Sequence, residues 1–340
     1  SGYQKAEGEF ELTTEHKTNP LKIDVNLQIS TQWDGTADTA WYTSHEAEDT
    51  FYIYTAEELA GLAKLVNDEG ETFEGKTIRL MSDLNLGDKT WTPIGKGVST
   101  SKQYFAGTFD GGGHTISVDG GNFEGAENTF GLFGCIKGKS ASDRAAVKDL
   151  TLYGKVNINS SSMMNQIGGL AGYVTYADFT SISNNMEISV KADFDRGNIN
   201  LGGLVGWSVY NNFSECSNQG NMSGTINSSS GVAVCYAGGI AGMMTQATVN
   251  GPFKIVNCYN NGNISSTGGS VTNAGGIAGS AGNGSLYSSM SNCYNSGKIN
   301  TGQPLTGSGK FTGEGTGNNY YLDTTLGESL ESNMGEAKTD

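Results

Sequence analysis

Short apolar runs broken by Gly or Asn recur along most of the chain. One stretch has helical spacing instead. Leu59, Leu62, Ala63 and Val66 follow Thr55-Ala56-Glu57-Glu58, and Gly70 stands as a stop. Thr55 can cap the first turn and Glu58 can reach back to it, so the pattern predicts a helix over residues 55–68. Residues 10–13 and 23–29 alternate strictly and predict ordinary half-buried strands. Lys76-Thr77-Ile78-Arg79-Leu80 and Asp83-Leu84-Asn85-Leu86 predict short strands, and residues 91–95 and 105–116 predict further coil segments.

The remaining pattern is a repeat. Gly131-Leu132-Phe133-Gly134 returns as Gly169-Leu170-Ala171-Gly172, Gly203-Leu204-Val205-Gly206, Gly239-Ile240-Ala241-Gly242 and Gly276-Ile277-Ala278-Gly279, in steps of 38, 34, 36 and 37 residues. A second element follows each copy. Its clearest forms are Ile255-Val256-Asn257-Cys258-Tyr259-Asn260-Asn261-Gly262-Asn263-Ile264 and Met290-Ser291-Asn292-Cys293-Tyr294-Asn295-Ser296-Gly297-Lys298-Ile299. The copy from Phe213 to Met222 is looser, and that from Ile182 to Ile188 lacks both Cys and Gly, so a distorted coil or an insertion is expected there.

No piece of the unit is long enough for a helix. Ile255 and Cys258 are three apart, so both face inward only if the chain turns a corner near Asn257, and Asn tolerates the left-handed backbone that a corner needs. Short strands joined by corners and repeated about every 36 residues describe the coils of a parallel β-helix. Stacking coils about 4.8 Å apart puts Leu170, Leu204, Ile240 and Ile277 in one ladder. It puts Cys216, Cys258 and Cys293 in another and starts an amide ladder at Asn257 and Asn292. An open end of such a stack exposes strand edges, and the predicted helix suits a cover. The expected fold is all-β: a right-handed parallel β-helix with an N-terminal capping helix.

Composition fits this reading. The chain has 51 glycines and 4 prolines in 340 residues, and only ten charged residues between 158 and 313. Taken alone, that stretch resembles a disordered segment, and the repeat reverses the inference because each coil buries its neighbour. A net charge of −15 disfavours nucleic acid and anionic membranes as partners. No apolar run is long enough to span a bilayer. The five cysteines include no C-x-x-C pair and read as buried thiols.

The expected organisation is a β segment over 1–32, the capping helix and opening coils over 33–130, the repeats over 131–313 and a C-terminal segment over 314–340. The last stops without a closing element, which suggests a monomeric piece of a larger protein.

The Gly-Gly-Leu/Ile-x-Gly unit followed by Ile-x-Asn-Cys-Tyr-Asn-x-Gly-x-Ile resembles the GLUG-motif repeats of bacterial surface proteins. The resemblance covers about residues 50–325 and includes Trp91-Thr92-Pro93-Ile94-Gly95 and the segment from Gly107 to Ile116. It implies an extracellular, cell-surface, adhesin-like setting and supplies no catalytic residues. Some bacterial immunoglobulin A proteases carry such repeats outside their catalytic part. Residues 23–29 with Trp33-Asp34-Gly35 are similar to the end of fimbrillin-like domains of Bacteroides-type lipoproteins.

Parallel β-helices also host polysaccharide lyases and glycosidases, which need paired carboxylates, or calcium ligands with a basic proton acceptor. Asp178, Glu187, Asp193, Asp195 and Glu215, with Lys191 and Arg196, are the material for that alternative, and Asp193-Phe194-Asp195-Arg196 is the one dense cluster. It reads as a solvated loop. Asp34-Gly35-Thr36-Ala37-Asp38 has oxygen ligands of the calcium type without the EF-hand pattern and reads as a turn. Asp110-Gly111-Gly112-Gly113-His114 lacks the Lys and following helix of a phosphate loop and reads as a corner. No cofactor is expected.

Tyr173 and Trp207 share one slot of the repeat, followed there by Met243 and Ser280, and Tyr259 and Tyr294 share another. Facing inward they are core. Facing outward they form a stripe on one face, the candidate surface for a glycan or a host or bacterial surface protein. The expected function is a non-catalytic binding or structural module, with a carbohydrate-active enzyme as the alternative.

Overall fold

The computed structural model describes residues 32–97, 103–119, 123, 128–228, 232–245, 254–281, 289–300, 306–308, 319–322 and 336–338. The strands expected over 10–13 and 23–29 lie outside the described residues. The fold is a parallel β-solenoid: among the described residues every pairing between strands is parallel, in three sheets. Each repeat contributes a strand ending in Gly-Gly to one sheet, a strand after the Leu or Ile to a second, and the rest of the coil to a long sheet.

The long sheet carries one inward file through its whole length. Phe51 pairs with Ile78, Ile78 with Phe109, Phe109 with Val147, and Val147 with Phe179. The file continues through Phe213, Ile255 and Met290. Each of these side chains is at most 2% exposed. Phe179 and Phe213 stack at 4.9 Å with planes 15° apart. Burying one such side chain contributes about 1.5–3 kcal/mol, and the file is one part of a core that runs through the whole stack. The opening segments and the repeats therefore belong to one continuous stack.

The expected aliphatic ladder is present. Leu170, Leu204, Ile240 and Ile277 are fully buried and linked by backbone hydrogen bonds, Leu170 N–H to Leu204 O at 3.0 Å and Ile240 N–H to Ile277 O at 2.9 Å. The corner at Asn257 is also present. Asn257 and Asn292 have φ of 56° and 54°, and Asp149, Ser181 and Glu215 take the same left-handed conformation at equivalent positions. Cys258 and Ile255 are consequently both buried.

The Ile182 copy is regular, against expectation. Asp178 to Thr180 pair with Asn212 to Ser214, Ser183 with Ser217 and Ile188 with Met222, at one constant offset. This register sets Ile182 level with Cys216, and Ile182 is 1% exposed. A branched aliphatic side chain fills the thiol's slot, so no insertion is needed.

The predicted helix forms as Ala56–Lys64 and continues through a wider π-type turn over Leu65–Glu69 to Gly70, whose φ is 72°. Both halves of the capping box are made: Glu58 N–H donates to Thr55 Oγ1 and Thr55 N–H to Glu58 Oε2, each at 3.2 Å. Leu59, Leu62, Leu65 and Val66 join the solenoid core. Asn67, 3% exposed, clamps the helix to the next segment through Pro93 O at 2.9 Å and Gly95 N–H at 2.8 Å. The helix covers the end of the stack, as a cap must. In the C-terminal segment, Tyr320–Leu322 and Glu336–Lys338 add further parallel strands.

Candidate functional site

The aromatic slots fall on two sheets. Tyr173 aligns with Trp207, and Trp207 with Met243, in the second sheet. Tyr259 aligns with Tyr294 in the long sheet. The single stripe expected from the sequence is therefore two separate files. A period read along the chain fixes which residues are equivalent, but the corners decide which sheet each slot occupies. All four side chains are half-buried.

Tyr173 and Trp207 form an edge-to-face pair with centroids 5.3 Å apart and planes at 78°. Trp207 Nε1 donates to Thr245 Oγ1 at 2.8 Å, one coil further on, which fixes the indole. Burial raises the pKa of the Tyr173 phenol, and the charges of Cys135 and Tyr176 add to the shift. The pair is a rigid, partly exposed aromatic platform whose polar indole edge is already satisfied. In the long sheet, Gln219 Nε2 donates to Tyr259 Oη at 3.4 Å.

A third aromatic column escaped the sequence reading. Tyr176 and Tyr210 stack at 5.0 Å with planes 11° apart, both at left-handed corners with φ of 51° and 60°. Arg144 binds this corner, donating through Nη2 to Ala177 O and Tyr210 O at 2.8 Å each and through Nε to Asp178 Oδ1 at 2.7 Å. The recurrence of Tyr three residues after Tyr173 and Trp207 was the available signal.

Of the carboxylates considered for catalysis, Asp193 and Asp195 share a hollow and Asp178, Glu187 and Glu215 are held elsewhere. Asp178 is held by Arg144, and Glu187 by Lys155 at 2.9 Å. Asp193 accepts from Asn227 at 2.7 Å, and Glu215 accepts from Ser181 Oγ at 3.2 Å. Asp193 and Asp195 are exposed beside a shallow hollow with Ile226, Asn227, Gly268 and Gly269.

Asp34-Gly-Thr-Ala-Asp38 is a turn. Asp34 Oδ1 accepts Thr36 Oγ1–H at 2.6 Å and Thr36 N–H at 2.8 Å, and Asp38 accepts Ala40 N–H at 2.9 Å. The Thr36 hydrogen bonds lower the Asp34 pKa. The Gly-rich segment at 110–114 is a corner: Asp110 accepts Gly112 N–H at 2.9 Å and sits 3.2 Å from Lys148 Nζ. Gly112 and Gly113 supply φ of 60° and 79° there. His114 Nδ1 lies 3.2 Å from Asp83 Oδ1. The Thr115 backbone N–H, and after it His114, lowers the Asp83 pKa. Among the described residues, no group of three His, Cys, Asp or Glu could hold a metal ion. Among them, no helix is long and apolar enough to cross a membrane.

No protein-family model matches the chain, and no curated protein matches it. Among solved structures, a Bacteroides ovatus protein named a "putative immunoglobulin A1 protease" is similar over 78% of this chain and 83% of its own, with 13% identity and a TM-score of 0.43.

Proposed function

We propose that the chain is an extracellular, adhesin-like module of a bacterial surface protein that binds a glycan or a host or bacterial surface protein and catalyses no reaction. The observation that carries this reading is the Tyr173–Trp207 pair, held edge to face at 5.3 Å and half-exposed on a stacked sheet. A fixed aromatic platform costs little ordering entropy when a sugar ring or a protein side chain settles on it. Asp178, Glu187 and Glu215 are each tied to a different neighbour, which supports a binding role over acid–base chemistry. The resemblance of the repeat to GLUG motifs is what supports a cell-surface setting.

Glycan and host-protein arrays probed with the intact chain test the reading. A ligand is expected whose affinity falls at least about tenfold in Trp207→Ala, as for an interface anchor. Unchanged affinity would reject the platform. Release of reducing ends or unsaturated uronides from a polysaccharide panel would favour the β-helix enzyme instead.

A further inference from the structure

The outer face at the end of each coil has a different chemistry from the aromatic files. Ile188, Met222, Ile264 and Ile299 stack there as an inward file, each at most 5% exposed. The residues just before them form one outer row: Glu187, Asn221, Asn263 and Lys298. The residues just after form a second: Ser189, Ser223, Ser265 and Asn300. The first row and Ser223, Ser265 and Asn300 of the second border a groove of about 630 Å³ that crosses four coils.

The groups in these rows are oriented. Asn221 Oδ1 accepts Asn263 N–H at 2.9 Å, and Asn263 Oδ1 accepts Lys298 N–H at 3.0 Å. The Nδ2 ends of Asn221 and Asn263 make no hydrogen bond among the described residues. The first row therefore offers one donor per coil: Asn221 Nδ2, Asn263 Nδ2 and Lys298 Nζ. In the second row Ser223 Oγ donates to Ser189 Oγ and Asn300 Nδ2 to Ser265 Oγ, both at 3.1 Å. Glu187 at the far end is held by Lys155 at 2.9 Å.

We propose that this groove binds a linear, uncharged polysaccharide lying parallel to the solenoid axis. The proposal goes beyond the binding-module reading, because the groove lies on the long sheet and not on the sheet of the Tyr173–Trp207 pair. The rows repeat at the coil spacing of about 4.8 Å, close to the length of one sugar in an extended glycan. A periodic ligand meets the same amide and hydroxyl at the Asn221/Ser223 and Asn263/Ser265 steps, and an ammonium with an amide at Lys298/Asn300. Sugar hydroxyls both donate and accept, which matches an amide row facing a hydroxyl row. Glu187 at one end is neutralised by Lys155 and Lys298 stands at the other, so the lining residues present a single ammonium and no cluster of cations for a polyanion. The chain's net charge of −15 opposes a polyanion.

Titration calorimetry of the intact chain with cellohexaose, mannohexaose and xylohexaose, with hexagalacturonate as the charged control, tests this. At least one neutral hexasaccharide is expected to bind, with affinity rising from disaccharide to tetrasaccharide. Asn221→Ala and Asn263→Ala should each weaken it about tenfold. Asn263→Asp keeps an oxygen for the Lys298 N–H but removes the Nδ2 donors, so the same loss is expected with the coil intact. Tyr52→Ala, on the exposed face of the opening coils, should leave this binding unchanged. Preference for hexagalacturonate, loss with Tyr52→Ala but not Asn263→Asp, or silence of every neutral hexasaccharide would overturn the proposal. Such silence beside a Trp207-dependent array ligand would leave the binding-module reading standing, whereas silence in both experiments would remove both.

Discussion

Asn218 donates through Nδ2 to Asn260 Oδ1 at 2.7 Å, and both residues are fully buried. The same bond links Asn184 to Asn218 at 2.7 Å and Asn260 to Asn295 at 2.8 Å. Each carboxamide also bonds a carbonyl of its own corner, as Asn218 does to Gly220 O at 2.9 Å. Four buried amides thus satisfy each other along the stack. Asn218→Ala leaves the Asn184 donor and the Asn260 acceptor unpaired. At about 1–3 kcal/mol per stranded group, it should cost roughly 2–6 kcal/mol by urea denaturation. Asn292→Ala removes only an exposed 3.2 Å bond to Asn257 and a tolerant left-handed residue, so about 1 kcal/mol is expected.

Glycine substitutions should separate crowding from backbone strain. A Cβ on Gly203 would lie 2.2 Å from Gly239 O and 2.5 Å from Asn218 Oδ1, striking both the neighbouring coil and the amide column. A Cβ on Gly113 meets nothing within 4 Å, and its cost is the φ of 79° alone. Gly203→Ala should lower the melting temperature far more than Gly113→Ala, whose cost is about 1–2 kcal/mol. Equal effects would mean that the Gly-Leu-x-Gly corner is not close-packed.

These two cases show what was legible in the sequence. Leu170, Leu204, Ile240 and Ile277 stood out because aliphatic residues are scarce in the repeats and recur in phase. The corner at Asn257 followed from the broken alternation between Ile255 and Cys258. The buried column of Asn184, Asn218, Asn260 and Asn295 did not stand out, because Asn is common on the surface of the same coils. Burial separates the two kinds, and burial is a property of the stack. The Ile182 copy looked irregular because two motif letters were missing, whereas the core requires only a buried side chain of suitable size. The aromatic slots were found, but the two sheets they occupy were not.

The buried thiols give the stack a pH dependence. Burial pushes the Cys235 thiol from its ordinary value of 9.0 up to about 11. Cys258 is raised by burial and then by the neighbouring thiols of Cys216 and Cys293. The folded pKa lies above the unfolded one, so the stabilisation is complete below the unfolded value and is lost as pH rises toward the folded value. Between about pH 9 and 11, stability should fall by about 1.4 kcal/mol per pH unit from Cys235 alone. All five cysteines are buried, and none should react with iodoacetamide in the native state. Rapid native-state alkylation of Cys258 would contradict the buried file.

Arg144 ties three segments through Asp178, Ala177 O and Tyr210 O. Arg144→Lys keeps the charge but cannot span all three acceptors. It should cost about 2–3 kcal/mol, read by denaturation, because at least one buried carbonyl is left unpaired.

The central claim is that consecutive repeats lie side by side, parallel and in register. Thr225 pairs with Thr267 across adjacent coils, with Oγ1 atoms 3.1 Å apart. Neighbouring strands lie about 4.8 Å apart, within reach of a disulfide. Peptide mapping of Thr225→Cys/Thr267→Cys after mild oxidation should find the two positions cross-linked in full. Lys191→Cys/Thr267→Cys, two coils apart, should stay reduced. A reduced first pair, or equal cross-linking of both, would contradict the stacked solenoid.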